Sequence, residues 1–171
     1  MKPGLLVLVV GPSGAGKDTV LAYARQHLQA YDHVLFPRRV VTRPPGPGED
    51  HEPATEAEFA ARRFALCWEA HGLRYGIPQE IETDLARGRI VIVNVSRAVI
   101  AQARARYHCK VIEITAPVEI LARRLALRGR EREADIAARL ARQAAPVEAD
   151  ATIINDGAPE AAGALFLSKL S

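Results

Sequence analysis

A chain of 171 residues, 49% apolar and 25% charged, is long enough for one globular domain with a sizeable hydrophobic core. The longest clean apolar run near its start, Leu5–Val10, is too short for a membrane span or a signal sequence, and Cys67 and Cys109 lack metal-ligand spacing. These features predict a reduced, cytoplasmic protein that does not bind membranes and holds no structural zinc.

The formal net charge is +3, and 19 of the 23 basic residues are arginines, dispersed with acidic residues between them. Arginine suits phosphate groups because its planar guanidinium donates two parallel hydrogen bonds. The same abundance is also typical of a genome rich in alanine and arginine codons. No RNA-binding motif or aromatic platform accompanies these residues, so we expect a small anionic partner and no nucleic acid.

A phosphate-binding loop follows the first predicted strand, Leu5–Val10, and precedes a predicted helix, Asp18–Ala30. Its sequence is Gly11-Pro12-Ser13-Gly14-Ala15-Gly16-Lys17-Asp18, which matches the pattern G-x-x-x-x-G-K in its required strand–loop–helix context. Glycines let the backbone curl around an anion, the helix N-terminus adds partial positive charge, and the lysine reaches the outer phosphates. The loop and the following Thr19 therefore predict a binding site for a nucleoside triphosphate.

The residue after the loop lysine is Asp18, where this motif usually has a serine or threonine that binds Mg²⁺. A carboxylate is a good ligand for a hard cation, so Asp18 is the predicted magnesium ligand and Thr19 is its alternative. The other role open to Asp18 is to stabilise the helix N-terminus through its charge.

Short strands and helices alternate through the rest of the chain. In its first half we predict a strand at Arg38–Thr42, a Pro/Gly turn at 44–48, a helix from Thr55 to about Phe64, a hairpin of Leu66–Ala70 and Leu73–Tyr75, and a helix from Pro78 to Gly88. In its second half we predict strands at Ile90–Val95, Lys110–Thr115 and Thr152–Ile154, and helices at Arg97–Tyr107, from Pro117 to near 128, at Ile136–Ala144 and at Pro159–Leu170. The helix at Thr55 rests on a capping box with Glu58.

Strands that alternate with helices in this order predict an α/β domain with a five-stranded parallel sheet and helices on both faces. Ligands in such a domain bind at the carboxyl ends of the strands, where the phosphate loop already lies. Together with the loop, this pattern predicts the P-loop NTPase fold.

These motifs together resemble the guanylate-kinase-like branch of the P-loop nucleoside monophosphate kinases, nearly from end to end. The matching segments are the phosphate loop, Val41-Thr42-Arg43 with Pro45 and Gly48-Glu49, His71-Gly72 with Tyr75-Gly76, 123–130, Ala138-Arg139-Leu140 and Ile153-Ile154-Asn155-Asp156. The resemblance implies a core at 1–36 and 88–171, a small acceptor-binding subdomain inserted at about 37–87, and a charged lid at about 128–136.

Three positions depart from the guanylate kinase pattern. Leu66 and the segment Asn94-Val95-Ser96 stand where that family reads guanine with acidic side chains, and Gly46 replaces an expected second acceptor-binding arginine. A site that lacks the acceptor for a base donor loses roughly 10⁴-fold in discrimination. The sequence therefore predicts a phosphate ester as acceptor and poor binding of guanine.

A second resemblance accounts for these departures: the chain is similar to the ribose 1,5-bisphosphate phosphokinase family of bacterial phosphonate breakdown. The matching segments are Gly16-Lys17-Asp18, Val93-Asn94 with Ser96-Arg97-Ala98, 102–107 and 128–131. The resemblance implies transfer of the ATP γ-phosphoryl group, with Mg²⁺, to the 1-phosphate of ribose 1,5-bisphosphate, giving 5-phosphoribosyl 1-diphosphate (PRPP). The sequence leaves open whether the protein is a monomer or a homodimer.

The resemblance also implies the residues that handle the donor. Lys17 and the loop backbone would hold the β- and γ-phosphates of ATP, while Arg130 and Arg139 close over the transferring group. Asn155 and Asp156 would line the adenine end, although an Asn-Asp-Gly sequence is also ordinary turn chemistry. The plainer alternative for each lid arginine is a solvated surface charge.

The acceptor residues implied by the resemblance lie in the first two thirds of the chain. Arg43 and Tyr75 would bind the phosphate that reacts, and Asn94, Ser96 and Arg97 would line the sugar bisphosphate, with Arg97 on its second phosphate. The alternatives are a solvent-facing Arg97 and a Tyr75 that only packs beside its neighbours.

Two further functions remain open. A nucleoside monophosphate kinase with relaxed base choice is disfavoured by the missing acids at Leu66 and Asn94. A catalytically inactive guanylate-kinase-like binding module is disfavoured by the intact loop glycines and Lys17.

Overall fold

The computed structural model describes residues 3–127, 135, 136, 138, 140 and 147–170. Its strands are β1 (Leu5–Val10), β2 (Val34–Leu35), β3 (Val40–Val41), β4 (Glu52–Pro53), β5 (Phe64–Ala70), β6 (Leu73–Pro78), β7 (Ile90–Asn94), β8 (Cys109–Thr115) and β9 (Ala151–Ile154). Its helices are α1 (Lys17–Leu28), α2 (Glu56–Ala60), α3 (Ile81–Ala86), α4 (Ile100–Arg106), α5 (Val118–Leu127) and α6 (Pro159–Ser168), with a 3₁₀ turn at Arg97–Val99. Each helix within the described ranges is too short or too polar to cross a membrane.

The main sheet has five strands in the order β2-β7-β1-β8-β9, with β1 at its centre. The outer pairs run parallel, with Val34 opposite Ile90 and Ile112 opposite Ala151. Residues 6–10 of β1 have no exposed area, as expected for valine and leucine side chains that are covered on both faces of a parallel sheet. The predicted α/β fold with a five-stranded parallel sheet is confirmed.

A second sheet of four strands, in the order β4-β3-β6-β5, is formed by residues between 40 and 78. Strand β3 pairs in parallel with β4 and antiparallel with β6, and β5 and β6 form an antiparallel hairpin. His71 and Gly72 at its turn have φ of 55° and 73°, the conformation that two-residue hairpin turns favour. The predicted hairpin is confirmed, and its strands are longer than the sequence pattern indicates.

The chain divides into two compact units, Met1–Leu8 with Tyr31–Lys110, and Val9–Ala30 with Val111–Ser171. The first unit contains the second sheet, and the second contains the phosphate loop, α1, α5 and α6. Within the second unit α1 and α6 pack closely at Gly163 of α6. A Cβ atom added to this glycine would lie 2.3 Å from the ring of Tyr23 in α1.

Two predicted helix boundaries in the first half of the chain are wrong by three residues or more. The helix that starts after Thr55 has the predicted capping box but ends at Ala60, because Phe64 already belongs to β5. Pro78 does not begin a helix; it is the last residue of β6, and α3 begins only at Ile81. A proline is tolerated at a strand end because no further ladder hydrogen bond needs its missing N–H.

Strands β2 and β4 are not predicted from the sequence, because two residues are too few to give a periodic pattern. The predicted strand Arg38–Thr42 is reduced to Val40–Val41. The predicted lid at about 128–136 lies almost wholly outside the described residues, as does much of the predicted helix Ile136–Ala144, of which 136, 138 and 140 are described and helical.

Candidate active site

The phosphate loop joins the end of β1 to the first turn of α1. Gly14 and Gly16 have φ of 86° and 85°, a left-handed conformation that favours glycine. Gly16 is the N-cap of α1, and its carbonyl accepts a hydrogen bond of 3.0 Å from the Val20 N–H. The loop therefore curls at the positive end of a helix, which favours binding of an anion such as the phosphates of a nucleotide.

The ammonium group of Lys17 folds back over this loop and is half-buried. It donates hydrogen bonds to the carbonyl oxygens of Gly11 and Pro12, the second at 3.3 Å. These contacts place a positive charge beside the curled backbone, where the charge complements phosphate.

The backbone of the loop is held by Arg124 of α5 and by Asn155, which follows β9. The Arg124 guanidinium donates to the Gly14 carbonyl at 3.0 Å and to the Asn155 carbonyl at 2.7 Å. Asn155 is only 4% exposed, and its Nδ2 donates to the Ala15 carbonyl at 2.8 Å. A Cβ atom on Gly16 would lie 2.6 Å from the same nitrogen. Arg124 and Asn155 thus fix the carbonyl groups of two consecutive loop residues, Gly14 and Ala15, and we call Arg124 and Asn155 the loop brace.

Asn155 and Asp156 are the residues predicted at the adenine end. The Asn155 side chain contacts the loop backbone, and its Oδ1 is buried without a hydrogen-bond partner among the residues described. Asp156 is exposed beside it. An adenine contact by either residue stays a prediction.

The sequence pattern does not single out Arg124, although the chain contains a signal for it. Arg124 follows Leu121 by three residues and precedes Leu125, and both leucines are buried. An arginine beside buried leucines on one helix needs partners for its N–H groups, because an unpaired buried charge is costly. Arg123, its neighbour, is exposed.

We expect Arg124→Met to raise the KM for ATP and to lower the free energy of unfolding by about 1.5–3 kcal/mol, the range for hydrogen bonds that involve charged groups. Arg123→Met, with the same change on the same helix, should alter both quantities little. Initial rates at varied ATP concentration give the KM of the two variants, and their thermal unfolding gives the change in stability. If the two substitutions changed the KM and the stability equally, Arg124 would have no special role in holding the phosphate loop.

Magnesium ligation rests on fewer residues. Asp18 and Thr19 are exposed in the first turn of α1, beside the loop. Within the described ranges, no group of three or more His, Cys, Asp or Glu side chains could hold a metal ion. Mg²⁺ in kinases is commonly bound by one or two carboxylates together with substrate phosphates and water, and a carboxylate beside the phosphate loop, as Asp18 is, fits this chemistry.

Arg43, the predicted acceptor residue of the first unit, forms a two-pronged ion pair with Glu49. One guanidinium nitrogen lies 2.7 Å from Glu49 Oε1, and the Gly46 N–H donates to the same oxygen at 2.6 Å. The hydrogen bond from Arg43 is the main cause that lowers the pKa of Glu49 to about 2, so this carboxylate is ionised at neutral pH. The buried His51 has a ring nitrogen 2.8 Å from the Arg43 carbonyl, which fixes the backbone of Arg43.

Tyr75 of β6 lies opposite Val41 of β3, two residues before Arg43. The Glu49 hydrogen bond is the main cause that raises the pKa of Arg43, and the charge interaction with Tyr75 acts in the same direction. The Tyr75 ring stacks on Trp68 of β5, with centroids 5.4 Å apart and planes 4° apart. The Arg39 guanidinium also lies over this ring, 5.5 Å from its centroid. The structure thus brings Arg43 and Tyr75 together, and adds Arg39, which the sequence does not reveal.

Asn94, Ser96 and Arg97 lie at the end of β7 and in the 3₁₀ turn that follows it. The Ser96 hydroxyl accepts a hydrogen bond of 3.2 Å from the Ala98 N–H, so this side chain caps the turn. Asn94 is half-buried and Arg97 is exposed. Their contacts with substrate stay predictions.

Two residues of the segment 102–107, which is part of the second resemblance, have a structural role: Arg106 and Tyr107. The Tyr107 hydroxyl donates to Glu82 at 2.7 Å, and Arg106 donates to the Ala65 carbonyl at 2.6 Å. Burial, and then the Glu82 hydrogen bond, raise the pKa of Tyr107 to about 12, so the phenol stays protonated and donates. These bonds connect the end of α4 to α3 and to β5. The two predicted catalytic arginines of the lid region, Arg130 and Arg139, lie outside the described residues.

Several known proteins are similar to this chain over nearly its full length. The ribose 1,5-bisphosphate phosphokinase PhnN of Acidiphilium cryptum is 62% identical over 169 residues, which cover 99% of this chain and 93% of that protein. The protein of the same name from Methylobacterium radiotolerans is 53% identical over 173 residues, with 98% of each chain covered. The bifunctional ribose 1,5-bisphosphokinase-thymidine phosphorylase of Cupriavidus necator is 48% identical over 98% of this chain and 29% of its own length.

No protein-family model matches the sequence. Among solved structures, guanylate kinase from Anaplasma phagocytophilum superposes with a TM-score of 0.69 at 19% identity, covering 99% of this chain and 88% of that one. This similarity concerns the fold alone. Because the sequence identity to the phosphokinases extends over nearly the whole of both chains, this protein belongs to the ribose 1,5-bisphosphate phosphokinase family and has a guanylate-kinase-like fold.

Proposed function

We propose that this protein transfers the γ-phosphoryl group of ATP to the 1-phosphate of ribose 1,5-bisphosphate, giving ADP and PRPP, in the cytoplasm and in phosphonate catabolism. The observation that carries the proposal is the 62% identity to a ribose 1,5-bisphosphate phosphokinase over 99% of the chain. The loop geometry supports a nucleotide donor, because its glycines, lysine and helix N-terminus form one anion-binding turn.

The chemistry requires alignment rather than a general base. The second pKa of a phosphate monoester is about 6, so the acceptor oxygen is already an ionised nucleophile at neutral pH. It attacks the γ-phosphorus, the bond from that phosphorus to the bridging oxygen breaks, and the electron pair leaves with ADP. Lys17 and the loop hold the donor, and Arg43 with Tyr75 holds the acceptor phosphate.

The other residues complete the two binding sites in this proposal. Arg130 and Arg139 neutralise charge on the transferring group, and Asp156 lines the adenine end. Asp18 holds Mg²⁺, which neutralises phosphate charge when it is bound. The sugar bisphosphate is lined by Asn94, Ser96 and Arg97.

Nucleoside monophosphate phosphorylation is the second candidate, and the guanylate-kinase-like fold is the observation that favours it. Leu66 weighs against it, since this side chain is 1% exposed and offers no acceptor for the donors of guanine. An inactive binding module would not need the intact phosphate loop or the Lys17 contacts.

The test is ADP release with ATP and Mg²⁺, with ribose 1,5-bisphosphate, GMP, AMP and UMP offered separately as acceptors. We expect strong turnover with the sugar bisphosphate alone. Strong turnover with GMP would transfer the proposal to a nucleoside monophosphate kinase. A folded protein that is silent with every acceptor would favour the binding module.

A further inference from the structure

The proposed acceptor carries two phosphates, but only its 1-phosphate reacts. The charge of Arg43 is shared with the Glu49 carboxylate, 2.7 Å away, and Gly46 offers no side chain in the adjoining turn. A second anionic group on the substrate therefore calls for a further cation close to Arg43 and Tyr75.

Two consecutive arginines precede β3, and the structure uses them differently. Arg38 donates to the carbonyl of Asp50 at 3.1 Å and to that of His51 at 3.0 Å, so it fixes the path of the chain. The guanidinium of Arg39 lies over the ring of Tyr75. Arg39 thus contacts the predicted acceptor tyrosine, and we call Trp68 and Tyr75 the aromatic cluster.

The aromatic cluster holds the Arg39 guanidinium in an orientation that is suited to binding phosphate. One face of this guanidinium contacts the ring of Tyr75, which is itself stacked on Trp68. Stacking occupies the flat face of a guanidinium, whereas phosphate is bound in two-pronged fashion through the N–H groups along its edge. A side chain already restricted by stacking also loses less rotamer entropy when it binds a ligand.

We propose that Arg39 binds the 5-phosphate of ribose 1,5-bisphosphate, while Arg43 and Tyr75 bind the 1-phosphate that reacts; this inference rests on the proposed function. Arg39 and Arg43 flank the buried residues of β3, Val40 and Val41, so a rigid element sets their spacing. In extended chain, the α-carbons of residues 39 and 43 are about 13 Å apart. Because both side chains are long, their guanidinium groups can lie closer together than this, at the separation of two phosphates on one sugar.

Arg97 is the residue that the sequence predicts for this second phosphate. It is exposed, whereas Arg39 is half-buried. A charge in a less hydrated position interacts more strongly with phosphate, because less screening by water intervenes. Arg39 is therefore the stronger candidate for the 5-phosphate.

The experiment compares Arg39→Met and Arg39→Lys with Arg63→Met, a control at an exposed arginine just before β5. We expect Arg39→Met to raise the KM for ribose 1,5-bisphosphate roughly 10- to 100-fold, the effect of one or two charge-assisted hydrogen bonds. Inhibition by ribose 5-phosphate should weaken by the same factor, while inhibition by ribose 1-phosphate should not change. Arg39→Lys should recover part of the loss, and Arg63→Met should match the wild type.

Two results would overturn the assignment. If Arg39→Met weakened both monophosphates equally, Arg39 would only support Tyr75. If it left ribose 5-phosphate inhibition unchanged while Arg97→Met abolished it, the second phosphate would belong to Arg97. Failure of the proposed function differs from both, because the wild-type protein itself would then release no ADP with ribose 1,5-bisphosphate.

Discussion

Lys17→Ala should lower kcat by roughly 10³-fold or more, as is typical when a cation is removed from the transition state of phosphoryl transfer. The Lys17 ammonium lies over the phosphate loop on the carbonyls of Gly11 and Pro12, and it is the cation that the loop motif assigns to the outer phosphates of ATP. No step of the proposed reaction relies on proton transfer. The loss of kcat would therefore come from poorer charge neutralisation and poorer alignment of the phosphates. ADP release at saturating ATP and ribose 1,5-bisphosphate measures it.

Lys169→Ala is the matched control, because it removes the same charge at an exposed position at the end of α6. The control should retain wild-type turnover, and both variants should unfold at nearly the wild-type temperature. Removal of one transition-state donor typically lowers kcat by about 10²- to 10³-fold. If Lys17→Ala kept more than about a tenth of the wild-type turnover, the assignment of Lys17 would therefore be wrong.

Gly16→Ala should combine a loss of stability with a loss of activity. The left-handed φ of 85° costs an alanine roughly 1–2 kcal/mol, as it does for most L-residues. The new Cβ would also lie 2.6 Å from Asn155 Nδ2, so Asn155 must move and the Ala15 carbonyl loses its donor. An unsatisfied buried group adds about 1–3 kcal/mol. Since the displaced loop also misplaces the donor phosphates, we expect turnover to fall on the order of 10²-fold.

Gly48→Ala separates the two contributions to the Gly16 effect. Gly48 has a similar φ of 78°, and a Cβ atom added there would have nothing within 4 Å. This control should therefore show only the backbone cost of roughly 1–2 kcal/mol. Urea unfolding of both variants gives the difference. Equal destabilisation would mean that the contact of Asn155 with the loop contributes nothing to stability.

The phosphate loop, the main sheet and the hairpin could be predicted because each depends on local chemistry. The glycine and lysine spacing of the loop, the run of valines in Leu5–Val10 and the turn at His71-Gly72 all act over a few residues. Such signals are present in the sequence itself, whatever the rest of the chain does. The substrate class came from family resemblance, because Leu66, Asn94 and Gly46 depart from the guanylate kinase pattern. The names of the close relatives agree with that class.

Element boundaries were less predictable where one residue served two possible structures. Pro78 is a good first residue for a helix, but it ends β6 because its partner in the ladder is Phe64. The strand β2 has two residues, and its parallel pairing with β7 joins segments more than 50 residues apart in the sequence. No local pattern specifies such a pairing, because its stabilisation comes from packing in the assembled sheet.

The sequence by itself determined the fold class and the nucleotide loop, since these follow from short motifs and from their order along the chain, and the class of acceptor was implied by its family resemblance. Only the tertiary structure decided which side chains surround the sites. Arg124 and Asn155 reach the loop from positions about 110 and 140 residues away, and Arg39 meets Tyr75 only because β3 and β6 pair. Arginine is abundant in this chain, so residue type alone could not separate Arg39 and Arg124 from exposed neighbours such as Arg123. Burial and partners distinguish them, and both are properties of the folded chain.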